Sequence, residues 1–281
     1  MEIQPGQVWA SIGGITFGVV DAFGVDWALY KLTGWGATAS TLKVTQKPRQ
    51  SGGWGGDAYA TPRHMALSGK FFAPDPDSAR MALDRLNAAV SLAPTLLTVY
   101  ENGFARNLMV RRSDEVLHEW VMPTEMEWSI QVIAEDPRKF GETLTGTTLL
   151  PMSTGGLTVP YTVPYTINST VVSGQVTLTN PGIETGTVKL RIDGPATGPQ
   201  ITHSGTGQPL VFASSLVLGA GEWLTVDMER RTAMANDQAS RNSYITSRGW
   251  SGFDPGANTW ALTASVFNAA TRLTVFATPA W

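Results

Sequence analysis

The sequence predicts a mainly β protein of two β modules, with one helix flanking the first. Three observations carry this. Met126, Trp128, Ile130, Val132 and Ala134 alternate with Glu127, Ser129 and Gln131, then stop at Asp136-Pro137, where the proline has no N–H to extend the ladder. Ala79, Ala82, Leu83, Leu86 and Val90 form a single apolar stripe at helical spacing. Beyond residue 165, short alternating runs bounded by Gly, Pro or Asn recur without helical spacing, the pattern of a sandwich or jelly roll.

Taken in order, residues 1–48 hold short aromatic strands broken by glycine, among them Ile15–Val20 and Trp27–Leu32. Residues 49–62, with Gly52-Gly53-Trp54-Gly55-Gly56-Asp57, read as a flexible connecting loop, because so many glycines favour an irregular backbone. Met65, Leu67, Gly69 and Phe71 alternate as a strand. Asp75 then caps the helix, Pro76 suits its first position, and Pro94 bars continuation. Asn102-Gly103 supplies the two positive-φ residues of a type I′ turn, joining 97–101 and 104–110 as a hairpin. The strand ending at Ala134 closes the first module at Glu135-Asp136-Pro137-Arg138-Lys139. The expected domains are 1–141 and 165–281, with 142–164 as a Pro-, Thr- and Gly-rich linker or entry strand. In the second, Val188–Ile192, Leu216–Leu218, Trp223–Val226 and Trp260–Val266 read as strands.

Composition narrows the function. Of 281 residues only 15% are charged, and the net charge is −3. Lys and Arg against Asp and Glu stand 13 to 15 in residues 1–141 and 7 to 8 in 142–281, so no basic stripe marks a nucleic-acid clamp. Arg111-Arg112 and Arg230-Arg231 read as solvated strand ends. With no cysteine there is no disulfide, thiolate site or cysteine nucleophile. The first residues lack a signal-peptide pattern and no apolar run approaches a membrane span, which points to cytoplasmic synthesis without membrane insertion. Asn168-Ser169-Thr170 fits the glycosylation pattern by chance.

No chemistry-bearing constellation emerges. His64, His118 and His203 lie far apart and in no metal-ligand spacing. Glu184, Asp193, Glu222, Asp227, Glu229 and Asp237 sit at strand ends and turns, where solvated carboxylates are ordinary. Neither catalysis nor a cofactor is expected. Among ten tryptophans, Trp223 and Trp260 begin strands and should be buried, whereas Trp250, in a Gly-flanked loop, is the candidate for stacking on a sugar ring.

An ordered set of motifs carries a resemblance. Asp26-Trp27, Gly34-Trp35 and Arg63 precede the helix and hairpin, and Ala134-Glu135-Asp136-Pro137-Arg138-Lys139-Phe140 follows. Later come Thr179-Asn180-Pro181-Gly182, Leu190-Arg191-Ile192-Asp193-Gly194-Pro195, Gly219–Asp227, Arg230-Arg231-Thr232-Ala233 and Asp254-Pro255-Gly256-Ala257-Asn258. In this set the chain resembles the distal tail (Dit) proteins of long-tailed bacteriophages, departing where Met234-Ala235-Asn236-Asp237 replaces an Asn-Gly turn. The resemblance implies a tail-tube-like β-sandwich or split barrel with one flanking helix, followed by a galectin-like jelly-roll sandwich. It implies a homo-hexameric ring at the distal end of the virion tail, with DNA passing through its lumen. The implied partners are the tail tube protein, the end of the tape measure protein, and tail-tip, tail-associated lysin or fibre proteins. An adhesin that recognises host cell-wall glycan through the second domain is the alternative function.

Overall fold

A computed structural model describes residues 8–150 and 174–281. They fall into two compact units, Met1–Lys139 and Phe140–Trp281. Pro151, Pro160, Pro164 and the Asn168-Ser169-Thr170 sequon lie outside the described residues.

The strands of the first unit are Val8–Ile12 (β1), Ile15–Phe17 (β2), Val19–Val20 (β3), Asp26–Thr33 (β4), Ser40–Gln46 (β5), Gly53–Ala60 (β6), Arg63–Phe72 (β7), Thr95–Glu101 (β8), Phe104–Arg112 (β9), Leu117–Met122 (β10) and Glu125–Ala134 (β11). The helix, Pro76–Ala89 (α1), lies between β7 and β8. The main sheet runs β2-β1-β8-β9-β11-β7-β4-β3, all antiparallel, with β10 added on β11. β2 and β3 stand at opposite ends of this path, yet only Gly18 separates them in the chain. The Gly18 N–H donates to the Trp27 carbonyl, so the segment 15–20 closes the sheet on itself. β9 and β11 share just the pairs Arg112↔Val132 and Arg111↔Ile133, and the barrel is split along that seam. Inside, Phe17 stacks on Trp128 with ring centroids 4.4 Å apart, and Trp27 meets Phe17 and Phe71 edge-on, at distances where aromatic pairs attract.

The helix forms as its sequence dictates. The Asp75 carboxylate accepts from the Ser78 N–H at 2.9 Å, Pro76 opens the first turn, and Ala79, Ala82, Leu86 and Ala89 are buried in the barrel's core cluster. Asn102 and Gly103 both have positive φ, and Glu101 pairs directly with Phe104 across the two-residue turn. The segment read as a glycine-rich loop is instead a strand. β6 pairs with β5 from Gly53↔Gln46 to Ala60↔Ser40, forming a separate two-stranded ribbon. Backbone pairing needs no side chain, so glycine's low strand propensity does not forbid it.

The second unit contains Leu144–Leu149 (β12), Gln175–Asn180 (β13), Glu184–Asp193 (β14), Ala196–Thr197 (β15), Gln200–His203 (β16), Pro209–Phe212 (β17), Val217–Leu218 (β18), Trp223–Asp227 (β19), Thr232–Ala235 (β20), Ala239–Ser240 (β21), Ile245–Arg248 (β22), Gly256–Thr263 (β23), Val266–Phe267 (β24) and Arg272–Ala280 (β25). One antiparallel sheet runs β12-β25-β14-β19-β20-β21 and another β13-β23-β16-β17-β22, with a small third sheet β18-β15-β24. Val188, Leu190, Ile192, Leu224, Val226, Leu273 and Val275 of the first join Val176, Ile201, Leu210, Phe212, Trp260 and Leu262 of the second in one core. Alternate residues of each strand supply it, as a sandwich requires. Trp260 is fully buried, although it is the fifth residue of β23 rather than its first.

Candidate assembly interface

The motif that closes the first unit is an anchor. Arg63 opens β7 and is buried. Its guanidinium donates to the carbonyls of Pro137 at 2.9 Å, Gly34 at 2.8 Å, Trp35 at 3.2 Å and Gly36 at 2.6 Å. One planar fork thus ties the chain after β4 to the chain after β11, which a single-point ammonium could not do. Burial lowers the Arg63 pKa, but an arginine's ordinary value is so high that the group stays charged. Asp136 accepts from the Arg138 backbone N–H at 3.0 Å and from its guanidinium at 2.6 Å, which shapes the turn after the strand. The Lys139 ammonium lies 4.5 Å over the Trp35 ring, and the Trp35 indole N–H donates to Glu101 at 3.1 Å.

Burial, then repulsion from Arg63 and Arg106, push Lys139 down to about 8, with Glu101 opposing. The folded value is below the unfolded one of 10.5, so between these limits the unfolded chain binds more protons and stability rises with pH. Below about 8 both states carry the proton and the penalty is constant. Lys139→Met is expected to be more stable than the parent at neutral pH, the difference shrinking as pH approaches 10.5. Urea titrations of both chains across that window check this; a constant difference would refute it.

Two surfaces of this unit are built from strands with every residue exposed. The first is the β5–β6 ribbon, which presents Leu42, Val44, Trp54 and Tyr59 to solvent, each more than half exposed. Its base is held by the Thr61 N–H donating to the Ala39 carbonyl at 2.9 Å. The second is β10, paired on one side to β11 and open on the other. Trp120, Val121 and Met122 on it flank a groove of about 600 Å³ that Pro76, Arg80 and Leu83 of α1 also line. The sequence signal for this edge is the apolar run Trp120-Val121-Met122-Pro123 ahead of the alternating strand.

In the second unit the motif residues again hold turns. Asn180 is buried, donates to the carbonyls of Phe253 at 2.6 Å and Glu184 at 3.1 Å, and accepts from the Gly182 N–H at 2.8 Å. Asn258 ties Asp254 and Gly256 together and receives His203 Nε2 at 3.0 Å. Asn236 and Asp237 both take positive φ, so aspartate serves where the family pattern has Gly. Of the carboxylates, Asp193 pairs with Arg191, Asp227 with Lys189, Glu222 caps the Gly219 N–H, and Asp237 accepts from the Trp223 indole. Trp223 is half-buried under the Arg191 guanidinium at 4.5 Å. Trp250 is half-buried against the core and lines a groove with Arg231, Asn242, Ile245 and Arg248. Arg231, expected as a solvated strand end, is part of that groove, and Arg248 joins it without any sequence signal of a site. Among the described residues, no three His, Asp or Glu side chains are grouped to hold a metal ion, and no helix is long and apolar enough to cross a membrane.

No family model and no curated protein sequence matches the chain. Solved structures do. The Dit protein of phage SPP1, described as a paradigm of the hub adsorption apparatus in phages infecting Gram-positive bacteria, is 13% identical over 98% of this chain and 99% of its own, with a TM-score of 0.66. A chain of the phage P2 baseplate in its activated conformation with Ca is 12% identical over 96% and 98%, with a TM-score of 0.53. The corresponding structure with Sr gives 12%, 94% and 100%, and 0.51. The chain has a Dit-like fold along essentially its whole length.

Proposed function

We propose that this chain is a structural protein of a phage tail, a hub of the Dit kind at the distal end, without catalytic activity. Its first domain, 1–141, associates with copies of itself into a closed ring, six by the family resemblance, with a lumen wide enough for DNA. Residues 142–164, whose β12 already belongs to the second unit's sheet, lead into a galectin-like domain, 165–281, which offers docking surface to tail-tip, lysin or fibre proteins. The tail tube protein and the end of the tape measure protein meet the ring. The near balance of charges suits a channel that passes DNA without gripping it.

The observation that carries this reading is the β5–β6 ribbon. A two-stranded ribbon with neither face covered is marginal in water. Its open backbone edges and apolar side chains are groups that pair with another chain. A contact between different patches on successive copies closes into a ring when the rotation permits. Replacing residues 41–59 by a short Gly-Ser turn between Ala39-Ser40 and Ala60-Thr61 is expected to leave the melting transition within about 0.5 kcal/mol of the parent, since the ribbon buries little within its own unit. The same change is expected to abolish ring assembly. Rings from the shortened chain, at the parent's concentration dependence, would remove the main support for the reading.

A further inference from the structure

A groove of about 510 Å³ on the second unit is lined by Arg231, Arg248, Trp250, Asn242 and Ile245, with no Asp or Glu among the described residues of its wall. Local devices place its principal groups. Arg231 sits at φ 56°, in the left-handed region that a side chain this size rarely adopts. Asn242 holds it there: its amide donates to the Arg231 carbonyl at 3.3 Å while its oxygen accepts from the Ala233 N–H at 2.6 Å. Arg248 ends β22 and is fixed by pairing with Leu210. At Gly249 a Cβ would lie 2.3 Å from the Gln208 carbonyl oxygen, so only glycine allows the chain to pass. Trp250 follows, its N–H donating to the Arg248 carbonyl at 3.0 Å and its ring half-buried on the core.

Neither Arg231 nor Arg248 makes an ion pair with a described residue, whereas Arg85, Arg138 and Arg191 each hold a carboxylate. Two unpaired arginines lining one groove favour an anion in it. Guanidinium forks bind carboxylate and phosphate in two-point contacts, and an indole face offers apolar area to the C–H face of a sugar. The groove also has the volume of a small-molecule site.

We infer that this groove binds an acidic glycan, with a sugar or polyol unit against Trp250 and its carboxylate or phosphate between Arg231 and Arg248. The site is independent of ring assembly. The test titrates the full chain calorimetrically with tetragalacturonate, with a poly(glycerol phosphate) oligomer and with neutral maltotetraose, at low and high salt. At least one charged ligand is expected to bind saturably, to weaken with salt, and to exceed maltotetraose by about tenfold or more. Which one binds separates a uronate source from a phosphate source. Arg231→Ala and Arg248→Ala are each expected to lower that affinity by about tenfold. Their melting temperature and sedimentation should be unchanged, because both side chains are exposed. Trp250→Phe should keep part of the binding that Trp250→Ala loses. Absence of saturable binding by both charged ligands, equal binding of maltotetraose, or indifference to both arginine variants would overturn the assignment. None of these would touch the ring, which sedimentation reads separately.

Discussion

Arg63→Ala is expected to destabilise the first unit by about 3–5 kcal/mol, the scale for breaking a buried charged network. The guanidinium gathers four backbone carbonyls from two separated stretches, 34–36 and 137, and the residue is 5% exposed. Alanine removes the donor that gathers those carbonyls; Trp35 is buried, whereas Gly34 and Gly36 are exposed and can turn to water. Each unsatisfied acceptor costs about 1–3 kcal/mol, and partial relaxation of the loop keeps the total below the sum. Arg63→Lys should recover only part, because an ammonium is a point charge and lacks the planar fork. Urea unfolding followed by tryptophan fluorescence measures the effect. A loss under about 1 kcal/mol would show that the four contacts are incidental.

Trp128→Ala should cost the same unit about 3–5 kcal/mol, the range for emptying a large aromatic site in a core. Trp128 is 2% exposed, stacks on Phe17 across the barrel, and lies over Gly69 on the neighbouring strand. At Gly69 a Cβ would stand 3.0 Å from the Trp128 ring and 1.9 Å from the Ala28 carbonyl oxygen, so the glycine is the space the indole fills. Trp128→Phe should be milder, because the indole N–H has no partner among the described residues and its loss forfeits no bond. Calorimetric melting of both variants checks the order. Equal losses, or a small loss for alanine, would mean that the barrel interior collapses around the vacancy.

Much of the first unit was legible because its signals are local. Asp75, Pro76 and the alanine-leucine stripe specify α1, and Asn102-Gly103 specifies the turn between β8 and β9. The β11 alternation matches a strand buried on one face. The motifs behind the family resemblance proved to be clamps. Arg63, Asp136, Asn180 and Asn258 satisfy backbone groups at turns, and such roles leave a fixed residue at a fixed place in a sequence. What was not legible depends on partners distant in the chain or on none. β12 pairs with β25, whose residues follow more than a hundred positions later, and its Thr-Gly composition carries no alternation. The β5–β6 ribbon has no buried face to impose one. Arg231 is ordinary in sequence and becomes notable only because the fold sets it beside Arg248 and Trp250 around one groove.

A tail hub of the proposed kind closes into rings through its first unit. Sedimentation of the full-length protein at micromolar concentration, with negative-stain images of the same fractions, tests it directly. Annular particles with a mass that is a whole multiple of 30.1 kDa are expected. A single species at 30.1 kDa throughout, with no annular particles, would contradict ring closure.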